Sequence, residues 1–281
     1  MQDVGTLYIV ATPIGNLEDI TQRALRILKD VDVIAAEDTR HSQKLLQQYE
    51  ISTKLISLHD HNEAQRGKQL VERMRNGENV ALISDAGTPL ISDPGYTLVN
   101  YCRDAGVKVV PIPGACAAIT ALCAAGLATD KFIFEGFLPV KQQAKEHALS
   151  RLIKQTATTI FYESPRRIED TVSMISEVLG ADRQLVVAKE LTKTFETFYA
   201  DEAQNVLSWL QRDPNHQRGE FVLMVAGVEN EESDIPEEAE SLLLLLCDSL
   251  PLKKAAAIVA THYTVKKNAL YQRGLALQGK D

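Results

Sequence analysis

The segment 80–95, VALISDAGTPLISDPG, constrains the fold of this chain more than any other. Its four leading apolar residues, Val80 to Ile83, suit a strand buried on both faces, and they run directly into Ser84 and Asp85. The loop beyond holds Gly87, Pro89, Pro94 and Gly95, and helical spacing resumes near Tyr96. Glycine permits close backbone approach, and proline narrows the loop's freedom. Open α/β sheets hold ligands beyond the carboxyl ends of such strands. A plain strand-to-helix connection with an Asx turn accounts for this one segment equally well. Two more segments repeat the arrangement. The strand 7–11 enters the tight loop 12–16, after which Asp19 is expected to cap a helix carrying Ile20, Ala24, Leu25, Ile27 and Leu28. The strand 107–110 enters the loop 111–114 and then a helix of small residues over 115–125. Three such loops leaving one sheet converge on one crevice, and this favours a ligand site.

Strands are expected near 6–11, 32–36, 54–58, 79–84 and 107–111, alternating with helices, which predicts a parallel α/β sheet. A second set lies near 132–136, 158–162, 184–190, 195–200 and 220–226, with helices near 141–155, 166–179 and 201–211. The short gap 191–194 reads as a hairpin, so the second sheet is expected to be mixed. Helices near 237–249, 252–262 and 265–278 follow, the last two spaced as a small helix-turn-helix. The expected division is an N-terminal α/β domain at 1–115, a second at 116–229, an acidic linker at 230–240 and a C-terminal helical module at 241–281.

The 281 residues carry a net charge of −8, which is unfavourable for a polyanionic partner. The charge is unevenly placed. Seven acidic residues and no basic one lie in 229–240, most simply a solvated linker, whereas six basic side chains oppose Asp281 alone from Lys253 onward. That basic tail suits phosphate contact or a plain soluble helical face. No run of 18 apolar residues exists and the N-terminus lacks a basic, then apolar, leader, so neither a membrane span nor a signal peptide is expected. Cys102, Cys116, Cys123 and Cys247 show no C-x-x-C spacing and read as buried thiols of a cytoplasmic protein. Neither G-x-G-x-x-G nor G-x-x-x-x-G-K-[ST] occurs, so a Rossmann dinucleotide site and a P-loop are unsupported.

Eight collinear motifs carry a resemblance: TPIGNLEDIT (12–21), EDTRHS (37–42), HDHNE (59–63), SDAGTPLISDPG (84–95), PIPGACAAITAL (111–122), EGFLP (135–139), FYESPRRI (161–168) and KELTKTFE (189–196). Together they resemble the tetrapyrrole-methylase-like superfamily. Within it they resemble the branch of bacterial 16S rRNA (cytidine-2′-O)-methyltransferases. The first loop reads Thr12-Pro-Ile-Gly-Asn16 where the superfamily pattern has glycines and an Asp, which fits the RNA branch and argues against a porphyrin-type substrate. The resemblance implies two α/β domains of the tetrapyrrole methylase type, S-adenosyl-L-methionine folded between them, 16S rRNA within the small ribosomal subunit as partner, and a homodimer. Carried over residue by residue, it implies cofactor contacts at Ile14, Ile83, Ser84, Asp85, Thr88, Cys116, Ala117, Tyr162, Glu163 and Leu191.

Methyl transfer to a ribose hydroxyl needs alignment of oxygen, methyl and sulfur, and a group to take the proton. Asp38, His59, His61, Glu163 and Glu190 are candidate bases, and the sequence does not choose among them. His59 and His61 share a face if their segment is extended, as the start of a metal site, a polar wall near the ribose or an exposed turn. No third ligand is well spaced and the chemistry needs no metal, so none is expected. Arg40, Arg166 and Arg167 follow strand ends and suit phosphate, or pair locally with Glu169 or Asp170. Lys189, Lys193, Lys253, Lys254, Lys266 and Lys267 are further RNA-binding candidates, whereas most of the basic side chains on the helix 141–154 read as a solvated face. Two rival functions stay open: methylation of a small tetrapyrrole or other metabolite, and a non-catalytic ribosome-assembly factor that keeps the fold.

Overall fold

The computed structural model describes residues 4–228 and 235–277 and resolves into two compact units, Met1–Gly227 and Val228–Asp281. The first unit holds two five-stranded sheets.

The first sheet is parallel, in the order β3-β2-β4-β1-β5, with β1 Thr6–Val10, β2 Val33–Ala36, β3 Lys54–Ser57, β4 Val80–Ile83 and β5 Lys108–Ile112. β2 (VIAA) and β4 (VALI) are buried at every position. The two-residue period of a strand divides them between two cores. Val33, Ala35, Val80 and Leu82 pack with Leu70 and Met74 of α3 (Glu63–Arg75) and Leu98 of α4 (Tyr96–Asp104). Ile34, Ala36, Ala81 and Ile83 pack with Leu28 of α1 (Gln22–Asp30) and Leu46 of α2 (Thr39–Gln48). Helices therefore cover both faces, which is what a continuous apolar strand requires.

The second sheet is mixed, in the order β6-β7-β10-β8-β9. Its strands are β6 Phe132–Phe137, β7 Thr158–Glu163, β8 Gln184–Lys189, β9 Thr197–Glu202 and β10 Phe221–Val225. Only β6 and β7 run parallel, and β8–β9 form the expected antiparallel hairpin. Phe161, Val187 and Leu223 face α6 (Gln142–Ser150), α7 (Ile168–Leu179) and α8 (Ala203–Arg212), where Leu149, Val172 and Trp209 meet them. Ile160, Val186 and Val222 face α5 (Ala117–Ala124) on the other side.

Three local expectations fail, and of the readings open for 59–61 the turn is the one found. Asp19 caps nothing: it ends a 3₁₀ turn, Leu17–Asp19, and Thr21 caps α1, its hydroxyl accepting from the Ala24 amide at 3.1 Å. The shorter Ser/Thr-type side chain, one residue before the helix, reaches the free amide directly. His59–Asn62 is a turn into α3, with the Asn62 and Glu63 amides both donating to the His59 carbonyl at 2.9 Å. Cys123 is exposed, because it lies on the outer side of α5. Lys145 is buried, its ammonium donating to Thr171 Oγ1 at 3.2 Å, although its neighbours on α6 are solvated.

The second unit is three helices, α9 Glu237–Cys247, α10 Leu252–Tyr263 and α11 Lys267–Leu277, around Ala239, Leu243, Ala256, Val259 and Leu270. Thr264 ends α10 in the left-handed region (φ +59°), and this turns the chain into α11 as a helix-turn-helix requires. α9 begins inside the segment read as an acidic linker. Glu237, Glu238 and Glu240 occupy its first turn, where the helix dipole favours carboxylates. Glu240 takes a two-pronged bond from Arg273 (2.6 and 3.1 Å), so one of the basic tail residues is neutralised within its own unit. The rest of the run, 229–234, lies outside the described residues, as do Lys280 and Asp281.

Gly95 precedes α4 and has no side chain to cap it. Glu63, buried on the neighbouring α3, supplies the acceptor: its Oε1 takes the Leu98 amide at 2.9 Å. Glu63→Ala is expected to cost about 1–3 kcal/mol, the range for stranding a buried donor, and Glu63→Gln, which keeps an acceptor, to recover most of it. Urea unfolding of the three proteins checks this.

Candidate functional site

In the parallel sheet, β1 and β4 are neighbours, yet their onward connections leave toward opposite faces, β1 through α1 and β4 through α4. A crevice opens where connections diverge in this way. The structure closes it with backbone. Thr12 and Gly87 exchange hydrogen bonds, Thr12 N–H to Gly87 O at 2.8 Å and Gly87 N–H to Thr12 O at 3.1 Å. Gly87 adopts φ +84°, and a Cβ there would sit 3.2 Å from Ile14, so glycine serves both the turn and the close approach. Thr88 Oγ1 then donates to Ala115 O at 2.9 Å, tying the second loop to the third. The Asp38 amide donates to Asp85 Oδ1 at 3.1 Å, tying the end of β2 to the end of β4.

Above this stitched floor lies a cavity of about 390 Å³. The first sheet contributes Ile14, Glu37, Asp85, Thr88 and Asp93, and the chain leading into α5 contributes Cys116 and Ala117. The second sheet contributes Phe137, Tyr162, Glu163, Leu191 and Glu220. Five carboxylates line the cavity, and among the described residues no Lys, Arg or His does.

The carboxylates differ in environment. Burial, then Asp85, raises Glu37. Burial, then Glu37, pushes Asp93 up to about 6. Glu163 is wholly enclosed: Oε1 accepts from the Ser164 amide at 2.8 Å and faces Arg167 Nε at 3.3 Å, and Oε2 accepts from Thr171 Oγ1 at 2.8 Å. Glu220 is largely exposed and meets Lys193 Nζ at 2.9 Å. The Tyr162 ring stands edge-on to Phe134 and Phe137, its hydroxyl accepts from the Ala118 amide at 3.2 Å, and burial raises it strongly.

Of the cofactor positions expected from the sequence, Ile14, Asp85, Thr88, Cys116, Ala117, Tyr162, Glu163 and Leu191 come together on the cavity wall. Ile83 and Ser84 do not reach it. Ile83 faces the α1/α2 core, and the Ser84 hydroxyl turns to the carbonyls of Ala86 and Gly87 at 3.4 and 3.3 Å. The two directly precede Asp85, the first residue of this loop on the cavity wall. The expected bases scatter. Asp38 caps α2, accepting the Arg40 amide at 2.8 Å, and the Arg40 guanidinium bonded to it holds it below the usual range. Burial works against the ionised form of Glu190, but Lys193 at 2.9 Å and the Glu220 amide outweigh it and the group ends below the usual range. His59 is half-buried, its Nε2 3.1 Å from Asn62 Nδ2 and its Nδ1 buried without a partner. His61 is exposed beside it, ring centroids 5.9 Å apart.

The expected RNA contacts also separate. Arg40 and Arg166 are exposed. Arg167 is not available in the same way: it pairs with Glu163, not with Glu169 or Asp170, and donates to Leu138 O at 2.6 Å. It also precedes the first turn of α7, which opens at Ile168 and not at 166. Lys189 is buried, and Lys193 is bound between Glu190 and Glu220. Lys253, Lys254, Lys266 and Lys267 are exposed on the second unit.

Sequence reasoning passed over Glu37 and Asp93. Both carried a signal. Glu37 is the first polar residue beyond the apolar run 33–36, as Ser84 is beyond 80–83, and Ser92-Asp93 repeats Ser84-Asp85 within one loop.

The chain matches the tetrapyrrole (corrin/porphyrin) methylases over residues 6–207 and the RsmI C-terminal HTH domain over 233–278. It is 59% identical to the ribosomal RNA small subunit methyltransferase I of Pasteurella multocida, over 96% of this chain and 97% of that one. To the protein of the same name in Escherichia coli O157:H7 it is 54% identical, over 98% and 96%. Its fold is similar to the crystal structure of the methyltransferase CobJ, with a TM-score of 0.60 at 17% identity over 80% of this chain and 95% of that one. The chain therefore belongs to the tetrapyrrole methylase family of methyltransferases and, within it, to the ribosomal RNA small subunit methyltransferase I family.

Proposed function

We propose that this protein transfers a methyl group from S-adenosylmethionine to the ribose 2′-hydroxyl of a cytidine in the decoding region of 16S rRNA, acting on the small ribosomal subunit as a cytoplasmic homodimer. The observation that carries the reading is the cavity at the switch point, walled by carboxylates and apolar side chains and, among the described residues, by no basic one. The donor carries a sulfonium and an ammonium, and its adenine needs a flat apolar slot. Asp85 and Glu37 supply the negative field, and Ile14, Ala117, Tyr162 and Leu191 supply the slot. A volume of about 390 Å³ suits a ligand of that size. When bound, the donor brings an electrophilic methyl carbon. The protein's part is to exclude water, fix the line of approach and receive a proton. The names of the relatives support small-subunit rRNA as the substrate, and the cytidine 2′-hydroxyl is what the motif resemblance implies.

Phosphate contact is assigned to the exposed Arg40 and Arg166 and, on the second unit, to Lys253, Lys254, Lys266 and Lys267. The division into domains at 1–115 and 116–229, a linker from 230 and a C-terminal docking module ending at 281 belongs to the same proposal. The test is transfer of labelled methyl to small subunits, free rRNA or a porphyrinogen, followed by nuclease digestion. Label as 2′-O-methylcytidine from subunits supports the reading. Label in the porphyrinogen, or none anywhere, contradicts it.

Three substitutions and one truncation sharpen this. Asp85→Asn keeps the acceptor for the Asp38 amide but removes the charge. It is expected to weaken S-adenosylmethionine binding about 10- to 100-fold, the loss of a charged hydrogen bond, with little change in the melting of the free protein, by calorimetric titration and thermal unfolding. Arg166→Ala is expected to weaken RNA binding and reduce its salt slope by about 0.7–0.9 at unchanged melting temperature. Arg167→Ala, which strands Glu163, is expected to melt markedly lower. A protein ending at residue 228 is expected to stay folded and bind S-adenosylmethionine but to methylate subunits with a raised KM, measured by initial rates across subunit concentrations.

A further inference from the structure

Methylating a hydroxyl releases one proton, and the cavity's carboxylates are not equally able to take it. Glu163 has both oxygens engaged, by Ser164, Arg167 and Thr171. Glu220 is paired with Lys193, and Asp85 spends Oδ1 on the Asp38 amide. Glu37 and Asp93 form no ion pair among the described residues, the Ser84 hydroxyl beside Asp93 being the polar group that favours its ionised form, and both line the cavity. Asp93 stands on a loop that the protein holds in an unfavourable shape. Leu90 and Ser92 are non-glycine residues in the left-handed region, at φ +72° and +69°. Gly95, which ends the loop at φ +132°, is packed so closely that a Cβ would lie 2.6 Å from Leu82. Backbone strain of this kind persists only where the surroundings enforce it, and the enforced loop places Ile91, Ser92 and Asp93 on the cavity wall.

We propose that Asp93 is the catalytic base of the methyl transfer. This rests on the function proposed above. In the step, a lone pair of the 2′-hydroxyl oxygen forms the new bond to the methyl carbon as the methyl–sulfur pair returns to sulfur, leaving a neutral thioether. The O–H proton passes to the Asp93 carboxylate and then to solvent. The groups facing Asp93 are Glu37 at the end of β2, Asp85 at the end of β4, Asp60 in the turn after β3 and Tyr162 of β7, with His59 beside Glu37. Burial and these acidic neighbours raise Asp93 to about 6, which leaves it ionised at neutral pH yet more basic than an ordinary Asp.

The sign of the linkage is fixed. A carboxyl whose folded value lies above its unfolded value holds its proton more tightly when folded, so stability falls as pH rises from about 4 to about 6 and stays lower above that. Asp93→Asn should therefore melt higher than the parent at about pH 8 and lose that advantage toward about pH 4.

The test uses the full chain and its Asp93→Asn and Asp93→Glu variants, with thermal unfolding against pH, calorimetric titration with S-adenosylmethionine, and single-turnover methylation of small subunits at saturating cofactor. The expected result is cofactor affinity within a few-fold of the parent, a rate about 100- to 10,000-fold lower in Asp93→Asn, loss of the parent's fall in melting temperature between about pH 4 and about 6 in the free protein, and partial rescue of the rate by Asp93→Glu. An Asp93→Asn protein as fast as the parent overturns the proposal. So does one whose whole defect is lost cofactor affinity, because Asp93 would then hold the cation and not the proton. A parent that methylates no subunit overturns the proposed function and this assignment together, which separates that failure from the others.

Discussion

The site depends on one pair of backbone hydrogen bonds, those between Thr12 and Gly87. They join the loops of two neighbouring strands at the place where the chain departs to opposite faces of the sheet. Without them the crevice would be bounded by two independent Gly/Pro-rich loops. With them, Ile14 is set against Gly87, Asp85 beside the end of β2, and Thr88 against Ala115. Each further tie presupposes the first. The cavity floor is thus made of main chain, and side chains need only line it. Gly114 shows how tight the fit is: a Cβ there would lie 2.7 Å from that of Ala11.

The electrostatic character follows from that geometry. Strands of the parallel sheet end together, and each of β2 and β4 is followed within two residues by a carboxylate, Glu37 and Asp85. Burying Glu37 and Asp93, and setting them beside Asp85 on a wall with no basic lining residue, costs the folded protein stability, as the raised Glu37 and Asp93 record. A cationic ligand relieves the repulsion. The second sheet behaves differently: its carboxylates arrive already paired, Glu163 with Arg167 and Glu190 with Lys193. One wall is left charged for a ligand, and the other is neutralised to hold shape.

Much of this was legible in the sequence. Apolar runs such as VIAA and VALI have one stable home, a strand covered on both faces, so the parallel sheet could be read directly. The gap 191–194 announced the β8–β9 hairpin. What failed depended on choices that only the folded chain makes. Lys145 reads as one more surface lysine until α7 brings Thr171 against it. Arg166 and Arg167 look interchangeable in a linear motif, but the turn before α7 sends one outward and the other back onto Glu163. The misplaced cap at Asp19 came from two acceptable capping residues, Asp19 and Thr21, lying close together, and periodicity alone does not choose between them. The sequence named Asp85 but not Asp93, because ranking a carboxylate by its burial needs the fold.

The central claim is that the cavity is built before any ligand arrives. Amide hydrogen exchange of the free protein, followed at Thr12 and Gly87, tests it most directly. The account predicts that both amides exchange as slowly as those in the neighbouring β1 and β4, and gain little further protection when S-adenosylmethionine is added. Fast exchange at both amides in the free protein, slowed only by the ligand, would mean that the ligand assembles the site, and would contradict the account.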